Sequence, residues 1–401
     1  MKMSNACIHH AKQSGQILVM SVIFLAVAVM AILLLFNIGQ INTEKARLVN
    51  AADAAAYSGG LYFARNLNFL AYTNRAMIAN HVAIGHFISY VSWVRYASSG
   101  FDNLNKVTRL IPYINTANEY TTEILKNTKE AAEKVAPILI NTSEALNNNI
   151  QNAQLKSQFT MNGVLSVSSL LDVKIMDKVA KTYHPTIRVN HKDDVEKVES
   201  EWIREQVVND MAATLHYLKR YRPGNDKNRL NNMITRDYLK FETWIKGNRG
   251  WQLEGGGLSL YKEGHTRHVI SNDKSDWQAH DNLRIERLSG GKKKGAEIAS
   301  GQSSVHEFKP RYKGVPSYYD VRDRLTGNSS LKVTALATMS GAVSNTMIAN
   351  GVRNESIRLQ ALSRAEIFYQ RPEGGFTQLG HDVYANLYNP FWQVRMTHNN
   401  Y

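Results

Sequence analysis

Histidine is the residue type in this chain best suited to binding metals or moving protons. The chain contains 13 histidines, and none stands in the HExxH pattern that places two zinc ligands on one helix face. His265 and His268, in the segment GHTRHV, supply two ligands at most. A zinc site takes three or four protein ligands, and the sequence places no third beside this pair. We therefore expect the histidines to have surface or packing roles.

The acidic residues and the search for nucleophile motifs also indicate no metal-binding or catalytic site. The segment Asp273–Trp277 begins the DxSxS pattern of metal-dependent adhesion sites, but a tryptophan replaces the final serine and its hydroxyl. Two acidic pairs are most simply solvated or salt-bridged: Asp193–Asp194 and Asp320/Asp323. There is no GxSxG elbow, Walker loop or GxGxxG motif. The sequence therefore predicts no enzyme activity and no catalytic, cofactor-binding or metal-binding residues.

The most distinctive pattern is an apolar run near the N-terminus. Ile17–Ile38 carries no charge and only two polar side chains. A helix of this length spans roughly 33 Å, which is enough to cross the hydrocarbon core of a bilayer. The run is longer than the roughly 7–15 apolar residues of a signal peptide, and the Ala-rich stretch begins only at Ala51, well beyond it. The pattern predicts a retained transmembrane anchor at residues 17–38.

Processing and orientation depend on the residues beside this run. Gly15 precedes it as in prepilin signals, but Met20 stands where those signals carry glutamate, so cleavage is not expected. Two Lys or Arg residues flank the run on each side, which leaves the positive-inside rule tied. We expect residues 1–16 to be a cytoplasmic tail and the rest to be periplasmic. Cys7 is the only cysteine, so no intramolecular disulfide can form.

Small residues recur at every fourth position after the anchor. They form two adjacent series: Ala51, Ala55 and Gly59, and Ala52, Ala56 and Gly60. Small side chains at this spacing form a smooth ridge that lets another helix approach closely. We therefore predict that these six residues form a helix-packing surface.

A long helical region is predicted over residues 39–182. No proline interrupts residues 41 to about 100, and apolar residues surround this helix on nearly all sides beyond Gly60, which predicts burial. Its asparagines then need buried partners: Asn66, Asn68, Asn74 and Asn80. From Ile114 to Asn149, small and apolar residues at alternating spacings of three and four form a heptad-like stripe. We expect this stripe to dock on the first helix as an antiparallel neighbour.

The remaining residues, 183–401, predict a mixed head. Helices are expected at 196–221 and 230–244. Strand-like segments are separated by glycine-rich turns: 258–261, 268–270, 283–287, 317–321, 331–337 and 394–397. The aromatic-rich segment 365–396 either forms a recognition surface or fixes the chain's end to the core. The predicted fold is α+β, with one N-terminal transmembrane helix continuing into a long helical stalk or bundle and then a mixed α+β head.

The formal net charge of +14 allows nucleic acid, anionic lipid or an acidic protein as a partner. Basic residues are nevertheless dispersed along the chain. The one compact run, Lys292–Lys294, lies between glycines as in a solvated loop, with no nucleic-acid-binding motif around it. A nucleic-acid partner is therefore not expected.

The segment Ser14–Gly60 resembles the N-terminal segment of TadG-like proteins, which belong with the TadE/TadG group of Flp (tight adherence) pilus assembly. The resemblance is carried by Gly15-Gln16, the polar break Gly39-Gln40, Arg47-Leu48, and the run from Asn50 through Asp53 to Ala56. It implies an inner-membrane, pilin-like component of a pilus or secretion apparatus with a periplasmic C-terminal region. Many TadG-like proteins also carry a von Willebrand A region, whose metal motif this chain lacks.

Three hypotheses of different class follow. The first is a non-enzymatic, membrane-anchored pilin-like component or scaffold of a Tad/Flp-type pilus assembly or secretion apparatus. Its expected partners are the lipid bilayer, other components of the apparatus and further copies of the same chain, which it contacts through packed helices and the periplasmic head. The second is an anchored periplasmic enzyme or ligand-binding protein, which requires a polar pocket where His265, His268 or Asp320 converge. The third is an envelope protein that binds acidic polymers through its charge.

Overall fold

The computed structural model describes residues 14–109, 112–163, 174–220, 249–255, 257–271, 274–287, 296–305, 331–339, 358–370 and 387–397. Five helices occur in these ranges: α1 (Ser14–Thr108), α2 (Pro112–Gly163), α3 (Lys174–Lys181), α4 (Lys192–Glu196) and α5 (Glu201–Arg220). Eight strands accompany them: β1 (Ile187–Val189), β2 (Trp251–Gly255), β3 (Leu258–Ser271), β4 (Lys274–Arg287), β5 (Ala296–Val305), β6 (Leu331–Met339), β7 (Leu359–Tyr369) and β8 (Trp392–Thr397).

Helix α1 is 95 residues long and passes from the apolar run into the head without a break. The chain has no proline before Pro112, so every interior position of α1 retains a backbone N–H for the helical ladder. Pro112 then begins α2, where its missing N–H and fixed φ suit the first helical turn. The prediction of one continuous helix through residues 41–100 is confirmed.

The strands form two antiparallel sheets of four strands each. Sheet A has the order β1-β6-β7-β8, and sheet B has the order β2-β3-β4-β5. The centre of sheet B is a hairpin of two 14-residue strands, β3 and β4, which pair from Leu258↔Arg287 to Ser271↔Lys274. The predicted α+β class, with a long apolar N-terminal helix, a second helix and a strand-rich head, is confirmed.

Helix α1 carries both sheets, one after the other along its length. Its residues from Leu48 to Leu70 share a hydrophobic core with α3 and sheet A. Further along, residues from Ile78 to Val91 share a second core with α2 and sheet B, centred on the fully buried Trp277. The helix that leaves the apolar run is therefore also the central core element of the head.

Helix α2 lies antiparallel to α1, as predicted. Polar contacts between them run in opposite directions along the two helices: Asn118 with Thr108, Glu133 with Arg95, Asn147 with Asn80, and Gln154 with Asn74. Pro137 lies inside α2 without ending it.

The prediction of which face of α2 contacts α1 is wrong: the buried stripe is shifted by about one residue from the predicted one. The predicted stripe is largely exposed, with Ile124 at 62%, Val135 at 47% and Ile138 at 64%. The buried stripe is more polar: Ala132, Ala136, Ile140, Ser143, Asn147, Gln151 and Gln154. Amide side chains can occupy this interface because α1 presents hydrogen-bonding partners such as Asn74 and Asn80.

Several head predictions meet described elements and others do not. The segments 258–261 and 268–270 are parts of the single strand β3, and 283–287, 331–337 and 394–397 fall in β4, β6 and β8. Helix α5 occupies most of the predicted helix 196–221. The predicted helix 230–244 and strand 317–321 lie outside the described residues. In the closing segment, Tyr388 and Trp392 are buried, so these two aromatics belong to the core.

Candidate functional site

The first site-forming feature is the exposed apolar part of α1. Side chains along Ile17–Ile38 project into open space, including Phe24, which is 76% exposed. Among the described residues, α1 is the one helix long and apolar enough to cross a membrane, and its most apolar stretch is not buried in the fold. Apolar surface of this extent is unfavourable in water, which indicates membrane anchoring.

The small-residue ridge begins at Ala51, beyond this segment, and is fully buried. All six positions contact elements of this same chain rather than solvent: Ala51, Ala52, Ala55, Ala56, Gly59 and Gly60. A Cβ built on Gly60 would stand 2.9 Å from Val394 Cγ1 and 3.3 Å from Ala365 Cβ. Glycine at this position therefore allows sheet A to approach the backbone of α1.

The residues that carry the family resemblance occupy different environments. Gly15 and Gln16 lie in the first turn of α1, and Asn50 is exposed. Asp53 accepts a hydrogen bond of 2.6 Å from the Ser363 hydroxyl of β7. The aspartate of the alanine-rich run thus fastens α1 to sheet A.

Asparagines of α1 make the next contacts with the head. The Asn68 amide brackets Trp392, donating to its carbonyl at 2.9 Å and accepting from its N–H at 3.0 Å. Asn74 donates to the Leu387 carbonyl at 2.8 Å. These bonds satisfy backbone groups at the end of the chain and hold strand β8 against the helix. The prediction that these asparagines have partners inside the fold is confirmed for the buried Asn74 and for the half-buried Asn68 and Asn80.

The most highly charged buried cluster lies between α1 and sheet B and is formed around Asp281. Arg249 binds this carboxylate with two nitrogens, at 2.7 and 3.2 Å, and Lys262 forms a second ion pair with it. The Ser92 hydroxyl of α1 donates a hydrogen bond of 2.6 Å to the same carboxylate. Asp281 and Lys262 are 0% and 2% exposed, so the ions are shielded from water.

The position of Asp281 depends on a glycine in the neighbouring strand. Gly264 stands directly opposite Asp281 in the β3–β4 register, and a Cβ there would overlap the carboxylate. Burial lowers the pKa of Lys262, although the bond to Asp281 opposes this shift. Burial beside the same carboxylate also raises the pKa of Tyr96 to about 12, and its ring lies 4.6 Å from the Lys262 ammonium. Through Ser92, the cluster joins α1 to the charged residues of sheet B.

A histidine pair lies nearer the middle of α1. The Nε2 atoms of His81 and His268 are 3.1 Å apart, so one ring donates and the other accepts. Trp277 packs against both rings, with centroid distances of 5.8 Å to His81 and 5.0 Å to His268. Burial lowers the pKa of His268 to about 4, and burial together with His268 lowers the pKa of His81 well below its usual value. Both rings are therefore neutral packing groups at pH 7.

The groups proposed for a catalytic or ligand site do not converge among the described residues. His265 and His268 lie on opposite faces of β3, since His265 is exposed and His268 is buried. Asp320 lies outside the described residues. Asp194 is a buried residue of α4, where it pairs with Arg188 at 3.3 Å. Within the described ranges, no three His, Cys, Asp or Glu side chains assemble as a metal-binding group.

A shallow apolar groove runs between α1 and α2 on the outer side of the helix pair. It has a volume of about 510 Å³ and is lined mainly by Phe87 and Tyr90 of α1 and by Thr128, Ala131, Val135 and Leu139 of α2. Tyr90 remains 45% exposed although it stacks on Trp93. The groove is partly open to solvent, and most of its lining is apolar.

Sequence reasoning missed Asp281, Lys262 and Arg249 as a cluster. The available signal was the alternation along β3, in which Lys262, Gly264, Thr266 and His268 share one face. A face that carries a lysine, a histidine and a glycine lacks the apolar pattern of a core, so the sequence predicts that this face is exposed to solvent.

Comparisons with known proteins bear on the N-terminal segment alone. No curated protein and no solved structure matches the chain. The matched region, residues 15–65, contains the exposed apolar segment, the small-residue ridge and Asp53. Over these residues the chain matches the family model Tad, described as "Putative Flp pilus-assembly TadE/G-like", so its N-terminal segment is similar to that family.

Proposed function

We propose that this chain is a non-enzymatic, membrane-anchored scaffold or pilin-like component of a Tad/Flp-type pilus assembly or secretion apparatus. It is a single-pass protein of the bacterial inner membrane, and its C-terminal region lies in the periplasm. The observation that carries this proposal is the coincidence of the TadE/G-like match, residues 15–65, with the exposed apolar segment and the ridge that binds sheet A.

The continuity of α1 supports a scaffold role. A single helix leads from Ile17 to Thr108, and both sheets and α2 pack along its part beyond Leu48. An uninterrupted, side-supported helix transmits its orientation over a long distance, because bending it requires breaking the ladder or the packing. The head is therefore held at a fixed height and direction relative to the apolar segment.

The chemistry of the described head supports a structural role as well. Its buried charges are paired, as at Asp281 and Asp194, and its buried histidines are neutral at pH 7. Surface contacts with other pilus or secretion components are the activity that this arrangement favours. The scaffold acts by positioning these components beside the membrane.

Deletion of the gene tests this function. Surface Flp pili are counted by electron microscopy in the deletion strain and after complementation with the full chain. The proposal predicts loss of pili on deletion and recovery with the unaltered chain. Val27→Arg places a charge near the middle of the apolar segment, where an arginine costs about 2.5–3.5 kcal/mol in a bilayer, and should not restore pili. The matched control Val27→Leu keeps the segment apolar and should restore them.

Two results would contradict the proposal. Normal pilus numbers in the deletion strain would remove the chain from pilus assembly. Full recovery by Val27→Arg, with that variant absent from the membrane fraction, would show that anchoring is not needed for its role.

A further inference from the structure

The exposed stripe of α2 is an apolar surface without a partner among the described residues. Its members stand at alternating spacings of three and four, and Ile124, Val135 and Ile138 are each about half exposed or more. The stripe borders the groove that Phe87 and Tyr90 of α1 form with α2. Together they make a continuous apolar face along the outer side of the helix pair.

The position of this face excludes lipid as its natural occupant. Phe87 stands 49 residues beyond Ile38, where the apolar segment ends. At about 1.5 Å per residue, the groove is roughly 70 Å from the end of that segment along α1. The occupant must therefore come from outside the bilayer, and a heptad spacing is matched by another helix.

A second copy of this chain meets the geometric requirements. Every copy has the same anchor and the same unbroken α1, so the α2 stripes of two neighbouring copies lie at equal height and point in the same direction. Parallel helices at equal height pair each stripe position with its own equivalent. Val135 then meets Val135 of the second copy, and Ile138 meets Ile138, as in a parallel coiled coil in register.

The charges on α2 are compatible with this pairing. Positions flanking the stripe are almost all uncharged. They are Tyr120, Asn127, Asn141 and Asn148 on one side and Leu125, Ala132, Leu139 and Leu146 on the other. Lys134 is the one charged flanking residue, and in this register it meets a leucine, Leu139. Glu123, Glu130 and Glu133 lie away from the stripe. No like charges are therefore brought together.

We propose that the α2 stripe and the adjoining groove form a self-association surface, on which α2 of a second anchored copy packs in parallel and in register. Small and polar members such as Thr128 and Ala131 make each contact weak. Confinement of both copies to one membrane raises their effective concentration and compensates for that weakness. This inference rests on the membrane anchoring that is part of the proposed function.

Disulfide crosslinking in native membranes tests the surface. Cys7 is the only native cysteine, so Cys7→Ser provides a background without thiols. Ile124→Cys and Ile138→Cys place single thiols on the stripe, and Glu130→Cys is the matched control because it is exposed on the same helix but away from the stripe. After mild oxidation, each stripe variant should give about tenfold more dimer than the control, since only stripe thiols face their equivalents.

A second variant separates pairing from chance proximity. Adding Val135→Lys to Ile138→Cys places two charges at the interface and should reduce the dimer to the control level. Equal dimer from all three thiol positions, no dimer from either stripe variant, or a crosslink to a different protein would each overturn the proposal. Sedimentation of every variant with the membrane fraction is checked in parallel. Loss of the unaltered chain from that fraction would contradict the proposed anchoring instead.

Discussion

Replacement of Asp281 by asparagine should release sheet B from α1. The native carboxylate receives two bonds from Arg249 and others from Lys262 and Ser92, all in a buried site. Asparagine keeps the size of the side chain but leaves both cations without a counter-charge. Removing one partner of a buried ion pair costs about 3–5 kcal/mol, and two stranded cations make a cost of at least about 4 kcal/mol the expected value here.

Hydrogen exchange of the full chain in detergent micelles measures this loss where it occurs. If sheet B opens as a unit, a cost of about 4 kcal/mol corresponds to roughly 10³-fold faster exchange of the β3 and β4 amides, because about 1.4 kcal/mol is a tenfold change. Glu263→Gln is the matched control, since Glu263 is an exposed acid on the same strand, β3. Its exchange should change by no more than about twofold, because surface substitutions cost about 0.5 kcal/mol or less.

A companion variant tests the charge argument itself. Lys262→Met removes one of two cations that share a single carboxylate, and it leaves Arg249 and Asp281 as a balanced pair. A buried ion replaced by an apolar group of similar size is often nearly neutral, so a change within about 1 kcal/mol is expected. A loss for Lys262→Met equal to or greater than that for Asp281→Asn would refute the reasoning.

Two further predictions concern packing and pH. Gly60→Leu should destabilise the contact between α1 and sheet A by about 1–3 kcal/mol through overpacking. The control Gly39→Leu should not, because a Cβ at Gly39 meets nothing within 4 Å. Gly60→Leu should therefore be cleaved faster by a protease than Gly39→Leu. Acid should weaken the fold because the pKa of His268 is about 4 in the folded protein, whereas the ordinary value for a histidine, which applies to the unfolded chain, is 6.5. The unfolded chain then binds more protons between these values, and the free energy of unfolding should fall by about 2 kcal/mol between pH 8 and pH 5. Thermal unfolding at both pH values should show this slope, and His268→Gln should reduce it; a steeper loss in that variant would contradict the assignment.

The helical part of the fold was predictable because it follows from local patterns. The apolar run and the lack of proline before Pro112 are sufficient to predict a long α1. The direction of α2 also followed from its pattern. Its buried face did not, because amide side chains such as Asn147 and Gln154 are buried only by virtue of partners on α1. Sequence polarity alone cannot reveal such a match.

Strand β5 shows why part of the head escaped prediction. Its buried positions include Gly301 and Ser303, which lack the large apolar side chains of a typical strand. Small residues are required there because the strand lies against the backbone of α1, and a Cβ on Gly301 would overlap Gly100. The Asp281 cluster escaped for a related reason, since charged residues on alternate strand positions are typical of an exposed face.

Protease accessibility in spheroplasts is the most direct test of a membrane-anchored scaffold whose head lies in the periplasm. Protease is added to spheroplasts with an intact inner membrane, and the full chain is followed with an antibody against sheets A and B. A periplasmic head predicts digestion of the sheets while a cytoplasmic marker protein remains intact. A head that is digested only after the inner membrane is lysed would contradict the proposed orientation and, with it, the contacts through which the scaffold acts.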